Sequence, residues 1–128
     1  MRIDLYNKNL EGVLDIEQYC KDNNIDAKEV IHLDCYKNNL TEIKGLDKLV
    51  NLERLYCGHN KLTEIQGIDK LANLKSLHCT NNQLTEIKGL HKLVNLELLF
   101  CHNNKLKELD VSNLVNLQWL NDEIYKKC

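Results

Sequence analysis

The segment Leu55 to Leu62 reads LYCGHNKL and sets Cys57 two residues before His59. A thiol and an imidazole at that spacing are zinc-ligand types. Related stretches begin at Leu33 (LDCYKNNL), Leu77 (LHCTNNQL) and Leu99 (LFCHNNKL). Cys35, Cys57, Cys79 and Cys101 are therefore candidates for metal ligands, redox groups or disulfide partners. The elements that hold them decide which of these chemistries is open.

Those elements follow from a repeat. Leu33, Leu55, Leu77 and Leu99 are 22 residues apart, and the four cysteines keep the same interval. So do Asn38, Asn60, Asn82 and Asn104, then Leu40, Leu62, Leu84 and Leu106. Gly45, Gly67 and Gly89 complete the pattern. In NLERLYC the apolar residues alternate around Leu55 and Cys57, the period of a half-buried strand. A unit of this size cannot bury its apolar stripe alone, so neighbouring units must stack into one core. Five strands, beginning near Val30, Leu52, Leu74, Leu96 and Leu117, are expected to form a parallel sheet. Leu62, Ile65, Ile68 and Leu71 fold back in a return too short for a regular helix.

The consensus L-x-x-L-x-C-x-x-N-x-L-x-x-I-x-G resembles the leucine-rich repeat family, whose core pattern is L-x-x-L-x-L-x-x-N/C-x-L. The period is similar to that of the internalin-like class, and the resemblance spans Val30 to about Leu120. Cysteine-bearing LTEIKGL repeats are also similar to those of giant DNA viruses of amoebae. One departure stands out: the third strand leucine is cysteine in every full copy. The resemblance implies an α/β leucine-rich-repeat solenoid. A parallel β-sheet lines its concave face, short irregular or 3-10 returns form the convex face, and a helical cap closes the N-terminus.

Residues 1–29 break the repeat, and residues 30–128 hold four full copies and a degenerate last one. In the first segment Leu10, Val13, Leu14 and Cys20 share a helical face, as a cap over the first repeat requires. At the other end KELDVSNLVNL loses the glycine and one residue. Asp122 replaces the cysteine and Tyr125 the asparagine, leaving a strand edge that Ile124 and Tyr125 or a second chain must cover.

This frame answers the question about the cysteines. One cysteine per strand makes a line, and a line cannot surround a tetrahedral zinc ion. In-register parallel strands hold Cβ atoms about 4.8 Å apart, against about 3.8 Å in a disulfide. Buried cysteine as a small core hydrophobe is the expectation, with a raised thiol pKa and low reactivity. Cys20 is expected in the cap core and Cys128 as the exposed thiol. His59 points away from Cys57 or lies in the loop, so C-x-H is coincidence. The asparagine column is expected to satisfy backbone groups of neighbouring turns, since one amide offers two donors and an acceptor. In the family this column is an asparagine ladder.

With Leu55 and Cys57 inward, Arg54 and Tyr56 face the concave side. Carried through the copies, one outward column reads His32, Arg54, Ser76, Leu98, Trp119. The next reads Asp34, Tyr56, His78, Phe100, Asn121, and the third Tyr36, Gly58, Thr80, His102, Glu123. No core requirement sends aromatic residues outward, and exposed Tyr, Trp and Arg dominate interface hot spots. Leu98, Phe100 and Trp119 are the expected centre of a partner surface completed by Tyr36, Arg54, Tyr56, His78 and His102. Cross-strand pairing that merely stabilises the sheet is the competing explanation.

Other functions find less support. A net charge of −2 gives no pull toward nucleic acid or a membrane surface. No apolar run approaches the roughly 18–20 residues that span a bilayer. MRIDLYNKNLEG lacks the apolar core of a secretory signal, so a cytoplasmic setting is expected (a host cytoplasm if viral), without a disulfide framework. There is no G-x-S-x-G and no phosphate-cradling glycine loop. His78 and His102 are diagonal neighbours, roughly 7–8 Å apart, and could at most hold a metal adventitiously. The sequence reads as a non-enzymatic protein-protein interaction module without cofactor or metal, binding a protein or peptide on its concave face. The alternative is a structural or self-associating protein that pairs through its C-terminal strand edge. A monomer or weak homodimer is expected.

Overall fold

A computed structural model describes residues 1–121. The expectations for Asp122, Glu123, Ile124, Tyr125 and Cys128 lie outside the described residues. Six short strands form one parallel sheet in chain order: β1 (Arg2–Asp4), β3 (His32–Asp34), β5 (Arg54–Tyr56), β6 (Ser76–His78), β7 (Leu98–Phe100) and β8 (Trp119–Asn121). The constant period sets the register. Leu33 pairs with Leu55, Leu55 with Leu77, Leu77 with Leu99 and Leu99 with Leu120, with no offset. Leu33, Leu55, Leu77, Leu99 and the four repeat cysteines point inward and are buried, and Leu120 is half-buried at the end of the sheet.

The returns are short 3-10 turns at Leu46–Lys48, Ile68–Lys70 and Leu90–Lys92, each entered through a glycine. Gly67 has φ +87°, and a Cβ there would lie 3.1 Å from the backbone nitrogen of Asp47 in the preceding return. Left-handed backbone and close stacking together require glycine at that position. The turns present Leu46, Ile68 and Leu90 to the core. Fully burying such a side chain contributes about 1.5–3 kcal/mol.

The asparagine column forms the expected ladder. Asn60 Nδ2 donates to the carbonyls of Cys35 (3.0 Å) and Cys57 (3.2 Å), and its Oδ1 accepts from Leu40 N at 3.0 Å. Asn82 and Asn104 repeat this one and two units on. A second column, not assigned a role from sequence, works on the convex side. There Asn51, Asn95 and Asn116 donate to the carbonyls of Lys28, Ala72 and Val94.

The N-terminal segment is more than a helical cap. Helix α1 (Ile16–Asp22) is present, capped by Asp15 and burying Ile16 and Cys20. Before it, β1 adds a sixth strand to the sheet, where five were expected, and pairs Ile3 with Leu33. Strand β2 (Glu11–Asp15) pairs in parallel with β4 (Asn39–Lys44) as a separate two-stranded sheet. Leu10, Val13 and Leu14 therefore precede the helix. Strand alternation buries Leu14 and turns Val13 outward, 53% exposed. The segment is a divergent repeat: Arg2 pairs with His32, a spacing of 30 residues in place of 22. The eight additional residues accommodate the seven-residue helix α1.

Candidate partner-binding surface

Burial closes most cysteine chemistry. Desolvation pushes the Cys35, Cys57 and Cys79 thiols well up, and each has a neighbouring thiol that adds to the rise. Cys20, Cys35, Cys57 and Cys79 are free thiols, and Cys101 is buried in line with the other repeat cysteines. Among the described residues no three His, Cys, Asp or Glu side chains converge as a metal site would need. Cys57 and His59 diverge as the alternation required. Cys57 lies in the core, while His59 turns through left-handed backbone (φ 52°) to the surface.

The outward columns follow the strand pairing. His32 stands opposite Arg54, Arg54 opposite Ser76, Ser76 opposite Leu98 and Leu98 opposite Trp119. Asp34, Tyr56, His78, Phe100 and Asn121 align in the same way. The second column carries a continuous row of rings. Tyr56 and His78 have centroids 4.2 Å apart, and His78 and Phe100 4.5 Å. His32 meets Tyr56 edge-on at 4.6 Å. Tyr56, His78, Leu98, Phe100 and His102 are half-buried, and Arg54 and Trp119 are exposed, Trp119 by 58%.

Tyr36 belongs to a second ring group. It stacks on Tyr6 with centroids 6.1 Å apart and meets His59 at 4.9 Å. A Cβ on Gly58 would lie 2.5 Å from Cε2 of Tyr36. The absent side chain at residue 58 makes the space in which the tyrosine ring rests. Tyr6 and His59 extend the face beyond the sequence reading. Tyr6 was detectable, since RIDLY aligns with HLDCY when β1 is read as a strand. His59 has no such signal, because its place depends on the turn that follows Cys57.

Charge on the face is partly consumed. Asp34 is buried and accepts from Arg2 Nη2 at 3.1 Å and from the Tyr36 amide at 3.1 Å. His32 is pushed down by desolvation and by Arg2, against Asp34. His78 is pushed down by desolvation and by His32, again against Asp34. Unfolded histidine takes up its proton near pH 6.5. Below that the unfolded chain binds more protons than the folded one, so stability falls as pH drops toward the lower folded-state pKa values. The melting temperature is expected to decline between pH 7 and pH 5, with a shallower decline in His78→Gln. An unchanged slope in that variant would remove the histidine from the cause.

Residues 28–70 and 72–121 match the family described as Leucine Rich repeats (2 copies). The chain belongs to the leucine-rich repeat family. Leucine-rich repeats are in general protein-interaction modules. Among solved structures this repeat chain is similar to internalin InlC2 of Listeria monocytogenes, at 26% identity and TM-score 0.71. That match covers 74% of this chain and 42% of the internalin. Internalin InlF of the same organism is 25% identical with TM-score 0.70, over 73% of this chain and 28% of that one. InlJ of Listeria monocytogenes, whose functional domain is described as including a cysteine ladder, is 36% identical with TM-score 0.65. It matches over 70% of this chain and 19% of its own length. The chain thus spans less than half of each of these proteins. A comparison with curated protein sequences finds no match.

Proposed function

We propose that the chain is a non-enzymatic interaction module whose concave sheet face holds a protein or peptide partner. The observation that supports it most is the ring row His32–Tyr56–His78–Phe100, with exposed Trp119 opposite Leu98 at the end of the neighbouring column. Sheet stability alone does not require a large aromatic side chain at the solvent-facing end of such a surface. A face fixed by backbone pairing and the asparagine ladder is already ordered, which lowers the entropic cost of binding. Phe100→Ala and Trp119→Ala are each expected to weaken a partner by roughly 2 kcal/mol. The check is a pulldown with the intact chain against the double variant, then titration of the captured partner with each single variant. Equal affinity for all of them, with melting curves unchanged, would sink the reading.

A second reading is self-association through the C-terminal edge. Val115 is 81% exposed at the last repeat, and β8 pairs only with β7 among the described residues. An open strand edge is a template for another chain. Mass measured across micromolar concentrations separates the two, because a strict monomer removes the second.

A further inference from the structure

We infer that Arg54, His32, Ser76 and His78 form a subsite that takes the carboxylate of an acidic residue in the partner peptide. The inference rests on the concave face being the partner surface. Strand register puts His32 and Ser76 on either side of Arg54, each one strand away, or about 4.8 Å. His78 follows Ser76 by two residues on β6 and so emerges on the same face, opposite Tyr56. His32 is 7% exposed and Ser76 4%. His32 Nε2, Ser76 Oγ and His78 Nε2 are buried and have no hydrogen-bond partner. An orphaned buried polar atom costs about 1–3 kcal/mol. Two of them in register on either side of one arginine, with the third diagonal to it, call for a specific cause.

The neighbouring charges define the ligand. Arg54 is exposed and forms no ion pair among the described residues. Arg2, the other arginine of the face, is held by Asp34 and also faces Asp4. Asp34 is thereby occupied, which leaves one unpaired cation flanked by a hydroxyl and two imidazoles. A carboxylate accepts two parallel hydrogen bonds from a guanidinium. Its single charge matches the single free arginine, whereas a phosphate dianion would retain excess charge here. Further along the Arg54 column, Leu98 lies two strands away and Trp119 three, roughly 10 and 14 Å. An extended peptide rises about 3.3 Å per residue. An acidic residue three or four positions from an apolar or aromatic one spans both subsites.

The test follows histidine ring signals in NMR spectra of the full chain during titration with sodium acetate at constant ionic strength. His32 and His78 are expected to shift along a saturating curve while His91, at the convex return, stays still. Arg54→Gln is expected to raise the apparent Kd about tenfold. A uniform shift of all histidines, or an unchanged response in Arg54→Gln, overturns the subsite. Inorganic phosphate binding with acetate inert overturns the carboxylate assignment in favour of a phosphorylated partner. Selection of displayed random peptides on the same chain tests the second half. Peptides with Asp or Glu three or four residues from an aromatic residue are expected, their acid preference lost in Arg54→Gln and their aromatic preference in Phe100→Ala. Phe100-dependent peptides without acid preference overturn the subsite and leave the concave surface standing. Acetate binding without any Phe100-dependent peptide overturns the peptide assignment and the partner surface together.

Discussion

Replacing Asn60 with alanine is expected to destabilise the protein by about 3–5 kcal/mol, as a lower urea midpoint. The asparagine is buried, and its amide N–H groups serve the carbonyls of Cys35, Cys57 and Gly58 while its oxygen serves Leu40 N. Alanine orphans the Leu40 amide, at about 1–3 kcal/mol, and removes one bond from each of three carbonyls, at about 0.5–1.5 kcal/mol net apiece. Those carbonyls keep Asn38 Nδ2, Asn82 Nδ2 and the Lys37 amide as second donors. Water entry through the turn holds the total below the simple sum. The rung also joins consecutive repeats, and in a solenoid the coupling between neighbours carries much of the stability. The unfolding transition is therefore expected to broaden as well as shift. Asn104→Ala should cost less, since that rung is only half-buried. A loss below about 1 kcal/mol at Asn60 would mean that the ladder does not hold the turns together.

The ladder was legible in the sequence because four copies say the same thing. A polar residue at one fixed offset from an alternating apolar stripe has few places to go, and the stripe sets its direction. The outward columns were legible for the same reason, since strand alternation and a constant period fix both face and register. The N-terminal strand was harder. RIDLY occurs at a different spacing, and Lys8 stands where the ladder asparagine would be, so periodicity alone favoured a helix across Leu10 to Cys20. Backbone pairing decided otherwise: the Leu5 amide reaches the carbonyl of Asp34 at 2.7 Å, and Asn38 Oδ1 accepts from Lys8 N and Leu10 N. Asn38 thus serves both units across the missing rung.

The state of the candidate site was less accessible. Sequence placed His32, Ser76 and Thr80 on the open face, yet all three are buried there. The reason is neighbour size, which spacing does not encode. Tyr56 covers His32 edge-on, and small residues among large ones on a curved face lie at the bottom of the relief. The Arg2–Asp34 pair was hidden by the same misreading of β1. It matters functionally, because it leaves Arg54 as the unpaired arginine among the described residues.

Cys57→Ser is expected to cost about 2 kcal/mol, and Cys57→Ser with Cys79→Ser less than the sum of the singles by about 1 kcal/mol. Cysteine and serine are close in size, so the change opens almost no cavity. What it adds is a hydroxyl in a fully buried place, worth about 1–3 kcal/mol when unpartnered. In the double variant the two hydroxyls stand on adjacent paired strands and can bond to each other, which produces the non-additivity. Chemical denaturation of the three variants gives the cycle directly. A chemically active column would behave in the opposite way: serine would leave stability nearly untouched and remove a reaction. Alkylation supplies that second readout in a chain carrying Cys128→Ala. The repeat thiols should label only as fast as the protein opens, because burial withdraws the thiolate that attacks. Rapid labelling of the native chain, together with a silent Cys57→Ser, would return the cysteines to the role their spacing first suggested. Slow labelling with a stability loss assigns them to the core, where the third strand leucine of the repeat would otherwise stand.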